Sequence, residues 1–381
     1  MKVGGAWIEA EGPQAVCAML ESGGHRALFV GGCVRNAILG AAVTDVDIAT
    51  DARPERVTAL AAAAGLRAVP TGIAHGTVTV IAAGQPFEVT TFRRDLSTDG
   101  RHARVAFTDA VEEDAARRDF TMNALYADRT GAVLDPLGGL PDLLAGRVRF
   151  VGDPAARIAE DYLRVLRFFR FSAWYARDGI DPEGLAACAA AVPRLARLSR
   201  ERVGAEMRKL LAAPDPAPAV AAMAATGVLA ALLPGADPAA LARLVHVEAG
   251  EPPSWQRRLA ALGGEDAAGR LRLSRAEAAA LARVRAAAEA GMPPHEAGYR
   301  LGASAGRDTV LVRAALVAAP PPPHWAEDVA RGAAANFPLR AADLPLEGAA
   351  LGAALKAAEA RWIASGFALT RDDLCRIGGF S

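Results

Sequence analysis

Asp45 and Asp47, separated by one residue in Thr44-Asp-Val-Asp-Ile48, have the types and spacing to bind a metal. Side chains two apart on a strand leave the same face, so the spacing predicts two carboxylates projecting together while Val46 and Ile48 enter the core. Neighbouring carboxylates repel unless a cation sits between them. Their hard oxygens suit Mg²⁺, which takes one or two carboxylates and completes its shell with water and substrate phosphate. Upstream, Gly31 and Gly32 have no side chains to keep a phosphate chain off the backbone, and Arg35 follows within reach of it. Together these residues predict a site for a nucleoside triphosphate and a divalent metal. Glu88 is either a third acid beside the pair or an ordinary solvent-facing glutamate.

A second group lies in Glu160-Asp161-Tyr-Leu-Arg164-Val-Leu-Arg167-Phe-Phe-Arg170. Asp161 and Arg164 are three apart and would be neighbours on one helix face. One reading is a surface ion pair of small energetic consequence. The other is chemical, because ionised Asp only accepts hydrogen bonds and Arg only donates them. Cytosine and adenine present an amino donor beside a ring-nitrogen acceptor, and uracil and guanine present the reverse. One Asp–Arg pair can thus accept C and A while rejecting U and G. Arg167 and Arg170 extend the ladder with charge for a triphosphate or an RNA backbone.

The elements that position these groups follow from punctuation and periodicity. Leu28–Thr50 reads as strand, Gly-Gly turn, short helix and second strand, preceded by a helix near Pro13–Glu21. Asp51 is placed to cap a helix with Pro54 in its first turn, running to Ala64 and stopped by Gly65. Thr77–Ile81 and Phe87–Phe92 alternate as a hairpin around Ala83-Gly84-Gln85. Arg93–Arg104 is polar and turn-rich without apolar periodicity, which predicts a mobile loop. Asp135-Pro-Leu-Gly-Gly139 reads as a turn followed by a short helix. From Pro154 the strand signals stop. One long helix is expected over Pro154–Ala176, with Ile158, Leu163, Leu166 and Phe169 inward, and a second over Leu198–Leu210 with Ser199 as N-cap. Pro214–Pro218 marks a boundary, and Pro320–Pro323 a linker among Ala-Leu-rich helices.

Composition narrows the function classes. The 381 residues allow two or three domains. Forty-three basic residues balance forty-three acidic ones, so nucleic-acid binding must come from a local patch. Residues 147–211 supply one, with thirteen basic against eight acidic residues. Four scattered cysteines without C-x-x-C spacing argue against a zinc site or a disulfide framework. The chain shows neither a secretory signal pattern nor an uninterrupted apolar run of membrane-spanning length. The expectation is a cytoplasmic protein with no membrane and no DNA partner.

These motifs, taken in order, resemble the class II tRNA nucleotidyltransferases (the CCA-adding enzymes) and the related bacterial poly(A) polymerases. The resemblance rests on Gly31-Gly-Cys-Val-Arg35, Asp45-Val-Asp47, His75-Gly-Thr-Val-Thr-Val80, Phe87-Glu-Val-Thr-Thr-Phe-Arg93, Arg117-Arg-Asp-Phe-Thr-Met-Asn-Ala124, Asp135-Pro-Leu-Gly-Gly139, Glu160-Asp-x-x-Arg164 and Ser199-Arg-Glu-Arg202. It implies an α+β head over residues 1–150 of the DNA-polymerase-beta-like type, a mixed sheet with helices. An all-α neck (151–213) would follow, then a tRNA-binding body and tail (214–381). It further implies two Mg²⁺ ions on Asp45 and Asp47, with Gly32 and Arg35 at the triphosphate. Arg118 with Asp119 would sit at the ribose 2′-hydroxyl, Asp161 and Arg164 at the base edge, and Arg167 and Arg170 in the nucleotide pocket. The loop at 93–104 would correspond to the one that helps switch specificity from C to A. Two residues depart from the family pattern: Asn36, where Asp is frequent, and Tyr162, where Pro or Ala is. Neither touches an implied ligand group.

The expected function is template-independent addition of C, C and A from CTP and ATP to the tRNA 3′ end. The alternatives are a poly(A) polymerase using ATP alone, an enzyme adding only CC or only A, and a non-catalytic RNA-binding module that kept the fold. The missing basic excess in residues 214–381 favours tRNA over generic RNA, and intact Asp45, Asp47 and Arg118 favour catalysis.

Overall fold

A computed structural model describes residues 1–98, 103–248 and 250–377, which divide into two compact units, Met1–Leu232 and Leu233–Ser381. The first unit is built on seven strands: β1 (Leu28–Val30), β2 (Asp47–Thr50), β3 (Arg67–Gly72), β4 (Thr77–Ala82), β5 (Gln85–Thr91), β8 (Tyr126–Ala127) and β9 (Val133–Leu134). A separate two-stranded ribbon comprises β6 (Arg93–Thr98) and β7 (Ala103–Phe107). The large sheet runs β3-β4-β5-β2-β1-β8-β9 and is mixed: β2 and β5 are parallel and every other pairing is antiparallel.

Its centre is apolar because the sequence alternates there. Val78, Val80 and Ala82 of β4 and Phe87 and Val89 of β5 are buried, while the residues between them are more exposed. The hairpin turn joining these strands puts Ala83 at φ 48° and Gly84 at φ 74°, the paired positive dihedrals that match strand twist in a tight hairpin. In β1, Leu28, Phe29 and Val30 are all buried. Gly31 then turns at φ 71° into the helix Gly32–Ile38.

Several sequence expectations change. Asp45 lies before β2 rather than on it, and Val46 is only partly buried. Asp51 does not cap the Pro54–Ala63 helix, whose N-cap is Arg53; its Oδ1 instead accepts the Arg26 backbone N–H at 2.9 Å and lies 3.1 Å from His25 Nδ1. β3 has no counterpart in the sequence reading. Arg93–Arg104, expected to be a mobile loop, contributes two paired strands, with Arg93 opposite Phe107 and Asp95 opposite Val105. Ladder hydrogen bonds are made by the backbone whatever the side chains. Residues 99–102 lie outside the described residues.

The expected helix over Pro154–Ala176 is broken in two, Pro154–Glu160 and Leu163–Tyr175. At the break Asp161 is extended (φ −152°, ψ 107°), and its Oδ1 accepts the Leu163 N–H at 3.0 Å, which starts the second helix. That helix buries Leu163, Val165, Leu166, Phe168, Phe169 and Phe171. Phe168 and Phe171 meet Phe120 and Phe150, with centroids 5.0 Å apart for Phe120–Phe171 and 5.3 Å for Phe150–Phe168. This aromatic packing fixes the helix against the isolated β-bridge that joins Phe120 and Phe150. The helix Arg200–Leu211 begins as expected, with Ser199 Oγ accepting the Arg202 N–H. The helices Ala217–Ala225 and Val228–Leu232 complete the first unit.

Among the described residues of the second unit the regular elements are helices, with one isolated β-bridge between Ala236 and Gly263. One core gathers Leu244, Ala260, Val284, Leu311 and Val312; another gathers Leu339, Leu344, Trp362, Ile363 and Leu374. No helix is long and apolar enough to cross a membrane, and Cys17, Cys33, Cys188 and Cys375 are all free thiols.

Candidate active site

The parallel pairing of β2 with β5 puts Asp47 opposite Glu88. Both line one cleft with Asp45, Thr44, Thr79 and Gln85. Protein mass around Asp47 raises its pKa above the ordinary carboxylate value; Glu88 and Asp45 push the same way, and Arg118 opposes them. The carboxyl therefore sits in a negative field that a cation would relieve. Among the described residues no group of three or more His, Cys, Asp or Glu is clustered closely enough to hold a metal alone. A pair of acids completed by water and phosphate is nonetheless the usual way Mg²⁺ is held. The donor set fits a hard divalent ion.

Arg118 stands over the Gly31 turn. A Cβ added to Gly31 would lie 3.5 Å from Arg118 Nη1. Two groups that the sequence reading did not single out hold Arg118 in place: its Nη2 donates to Asp114 Oδ2 at 3.0 Å and its Nε to the Tyr126 hydroxyl at 3.0 Å. Asp114 is 1% exposed and is the hub of this corner. It also accepts from Arg117 Nε at 2.8 Å and from the Tyr126 hydroxyl at 2.7 Å. Burial alone would raise its pKa; Arg117 and Arg118 outweigh burial and hold the carboxyl below its usual value. The i,i+4 spacing of Asp114 and Arg118 was a signal for this pair.

Arg35 and Asp119 are joined by Asn123, the other residue the sequence reading passed over. Asp119 Oδ1 accepts the Asn123 side-chain amide and the Phe120 backbone N–H, both at 2.9 Å. Asn123 Oδ1 accepts from Arg35, whose Nε and Nη2 also donate to Asn36 Oδ1, so against expectation the departure at Asn36 does touch a residue implied at the triphosphate. The Arg35 guanidinium stacks over Tyr175 at 4.5 Å and Phe171 at 5.2 Å from the ring centroids. The second oxygen of Asp119 takes Arg167 Nε at 2.7 Å and is also paired with Arg167 Nη2. Asp119 is thus buried and fully engaged within the protein. It braces Arg167, Asn123 and the turn instead of presenting an open face to a ribose. Arg170 Nε lies 3.0 Å from buried Glu206, and Arg167 Nη1 lies 3.9 Å from the same carboxylate.

At the helix break the Arg164 backbone N–H still reaches the Asp161 carbonyl at 2.9 Å, but the two side chains take different partners. Asp161 Oδ2 pairs with Arg202 at 2.5 Å, and Arg164 pairs with Glu160 at 2.5 Å while donating to the Arg157 carbonyl at 2.8 Å. The two side chains therefore do not form the i,i+3 ion pair, and each is set by its own partner. Arg202 was visible only as the end of the Ser199–Arg202 motif.

Residues 27–149 match the poly A polymerase head domain, and residues 179–240 match a model described as the probable RNA and SrmB-binding site of polymerase A. The mitochondrial CCA tRNA nucleotidyltransferase 1 of Homo sapiens is 40% identical over 207 residues, 53% of this chain and 47% of that protein. The CCA-adding enzyme of Geobacillus thermodenitrificans is 41% identical over 249 residues, 65% of this chain and 57% of that one. These matches span about half the length of the curated relatives. A crystal structure of the Bacillus stearothermophilus CCA-adding enzyme in complex with CTP superimposes with a TM-score of 0.73 and 32% identity, covering 92% of this chain and 91% of that one. With the poly A polymerase head domain over residues 27–149 and 32% identity along nearly the whole of that enzyme, the chain belongs to the class II CCA-adding enzyme family.

Proposed function

We propose that this protein adds C, C and A from CTP and ATP to the 3′ end of tRNA without a nucleic-acid template. The observation that carries the reading is the Asp47 carboxyl, set between Asp45, Glu88 and Arg118 beside the Gly31 turn. The CTP bound to the 32%-identical relative supports a nucleotide substrate. In this reading residues 1–150 form the catalytic head, 151–213 the neck that reads the base, and 214–381 the tRNA-binding body and tail. A protein of free thiols suits the cytoplasm.

Asp45 and Asp47 would hold the divalent metal, two Mg²⁺ ions in this reading. When bound, such ions acidify the attacking RNA 3′-hydroxyl and neutralise the departing pyrophosphate. The chain's own groups do the positioning, which is most of the catalysis in phosphoryl-type transfer. The Gly32 backbone and Arg35 face the triphosphate, and Tyr175 and Asn123 keep Arg35 from collapsing onto the acids. Arg118, fixed by Asp114 and Tyr126, selects the ribose, with Asp119 contributing through the Arg167 and Asn123 brace. Asp161 accepts from the base amino group and Arg164 donates to its ring nitrogen; Arg167 and Arg170 line the same pocket. Glu88 keeps the field at Asp47 negative.

The test is incubation with tRNA lacking its CCA end, Mg²⁺ and each labelled nucleotide in turn. Two C followed by one A is the expected product. A long A ladder identifies a poly(A) polymerase, and CC alone or A alone a partial enzyme. No incorporation with RNA binding retained identifies a binding module. Asp47→Asn should abolish transfer while RNA affinity changes less than about twofold.

A further inference from the structure

Arg93 has no role in the reading above, yet its position is unusual. It follows buried Phe92, opens β6, and its backbone N–H donates to Asp114 Oδ1 at 3.3 Å. Its side chain is half-buried, and Nε and Nη1 are buried without a hydrogen-bond partner among the described residues. Asp114, which takes the Arg93 backbone N–H, is already occupied by Arg117, Arg118 and Tyr126. Burial, and then repulsion from Arg117, draws the Arg93 guanidinium down to about 10, so it is still charged at neutral pH. Asp95, two residues on along β6, contributes to the field at both Arg93 and Arg157 without forming an ion pair with either.

Arg157 shares the predicament. Its Nε is buried and unpartnered, while its other nitrogens hold Glu160 and the carbonyls of Arg117 and Arg118. Arg93 thus faces the like charges of Arg117 and Arg118, whose shared anion Asp114 they already occupy. Unpaired N–H donors on buried cations are costly to maintain, and like charges gathered this way await an anion. A planar guanidinium fork matches the oxygens of a phosphate group.

We propose that Arg93 binds a phosphate group at a position additional to the triphosphate contacts assigned to Gly32 and Arg35. The phosphate belongs either to the RNA 3′-terminal backbone or to the incoming nucleotide. The inference rests on the transferase reading only for those two sources.

The test uses the full-length protein with Arg93→Gln and Arg93→Lys. KM for CTP and ATP is measured at saturating tRNA, and tRNA affinity is measured without nucleotide across a salt series. Loss of a charged phosphate contact in Arg93→Gln should weaken one arm by about tenfold to a hundredfold, with partial recovery in Arg93→Lys. A raised nucleotide KM with unchanged tRNA affinity assigns the triphosphate. Weakened tRNA affinity, with a salt slope shallower by about one, assigns the RNA backbone. Two unchanged arms overturn the proposal. So does a fall in melting temperature that Lys fails to rescue together with equal loss in both arms, since that marks a purely structural arginine. If the wild-type protein incorporates nothing but binds tRNA in an Arg93-dependent way, the transferase reading fails and this one stands.

Discussion

At the scale of single residues, Asp114 shows how much of this site depends on a group that touches no substrate. One buried carboxylate receives Arg117, Arg118, the Tyr126 hydroxyl and the Arg93 backbone N–H. Asp114→Asn removes the charge and leaves two half-buried arginines without their anion, so stability should fall by about 3–5 kcal/mol, measured by urea denaturation. The pH dependence has a definite sign. The Asp114 carboxyl titrates lower in the folded protein than when unfolded, where it is about 3.9. Its stabilisation is therefore present above that unfolded value and is lost as pH falls through the lower folded value. The Asn variant should have a flatter acid limb than wild type; parallel limbs would show that the charge is not what Arg117 and Arg118 rely on. Tyr126→Phe keeps the carboxylate but frees one side of Arg118. It should reduce discrimination between CTP and 2′-deoxy-CTP with little loss of stability, and the check is the ratio of kcat/KM for the two nucleotides.

Among the secondary-structure elements, the break at Asp161–Tyr162 marks where sequence legibility ended. The mixed sheet was readable because Val78, Val80, Phe87 and Val89 alternate, and because Gly31 and Gly84 sit where positive φ is needed. The helix over 154–176 looked continuous because neither Pro nor Gly interrupts it. What breaks it is tertiary: Asp161 turns out to meet Arg202, 41 residues away, and captures the Leu163 N–H on the way. The polar ribbon β6–β7 was misread for a related reason, since its ladder leaves no apolar signature. The pairing also makes a prediction about specificity. Arg202→Ala should free Asp161 and admit U or G, and Asp161→Ala should do the same. The two changes should be non-additive, because both remove one interaction. Incorporation of labelled UTP by the single and double variants measures this, and fully additive effects would detach Arg202 from base reading.

Across the whole molecule, charge is divided unevenly, and the division separates two kinds of stability. Residues 214–381 carry seventeen basic and seventeen acidic side chains, so any tRNA grip there comes from local arrangement. Within Leu233–Ser381 the most deeply buried charges form a single cluster. Glu248 accepts Arg257 Nε at 2.7 Å and Arg258 Nε at 2.6 Å, and Arg257 reaches Asp308 at 3.0 Å. All but Asp308 are 4% exposed or less. Glu248→Ala strands two guanidiniums in the helical core, where removing one partner of a buried pair costs about 3–5 kcal/mol. The residues proposed to bind nucleotide all lie in Met1–Leu232. The variant should therefore lose the cooperative melting of the second unit first, reported by Trp255, Trp325 and Trp362. CTP affinity should stay within about twofold of wild type while tRNA affinity falls. Equal loss of CTP binding at the temperature where those tryptophans become exposed would show that the nucleotide site cannot stand without the second unit.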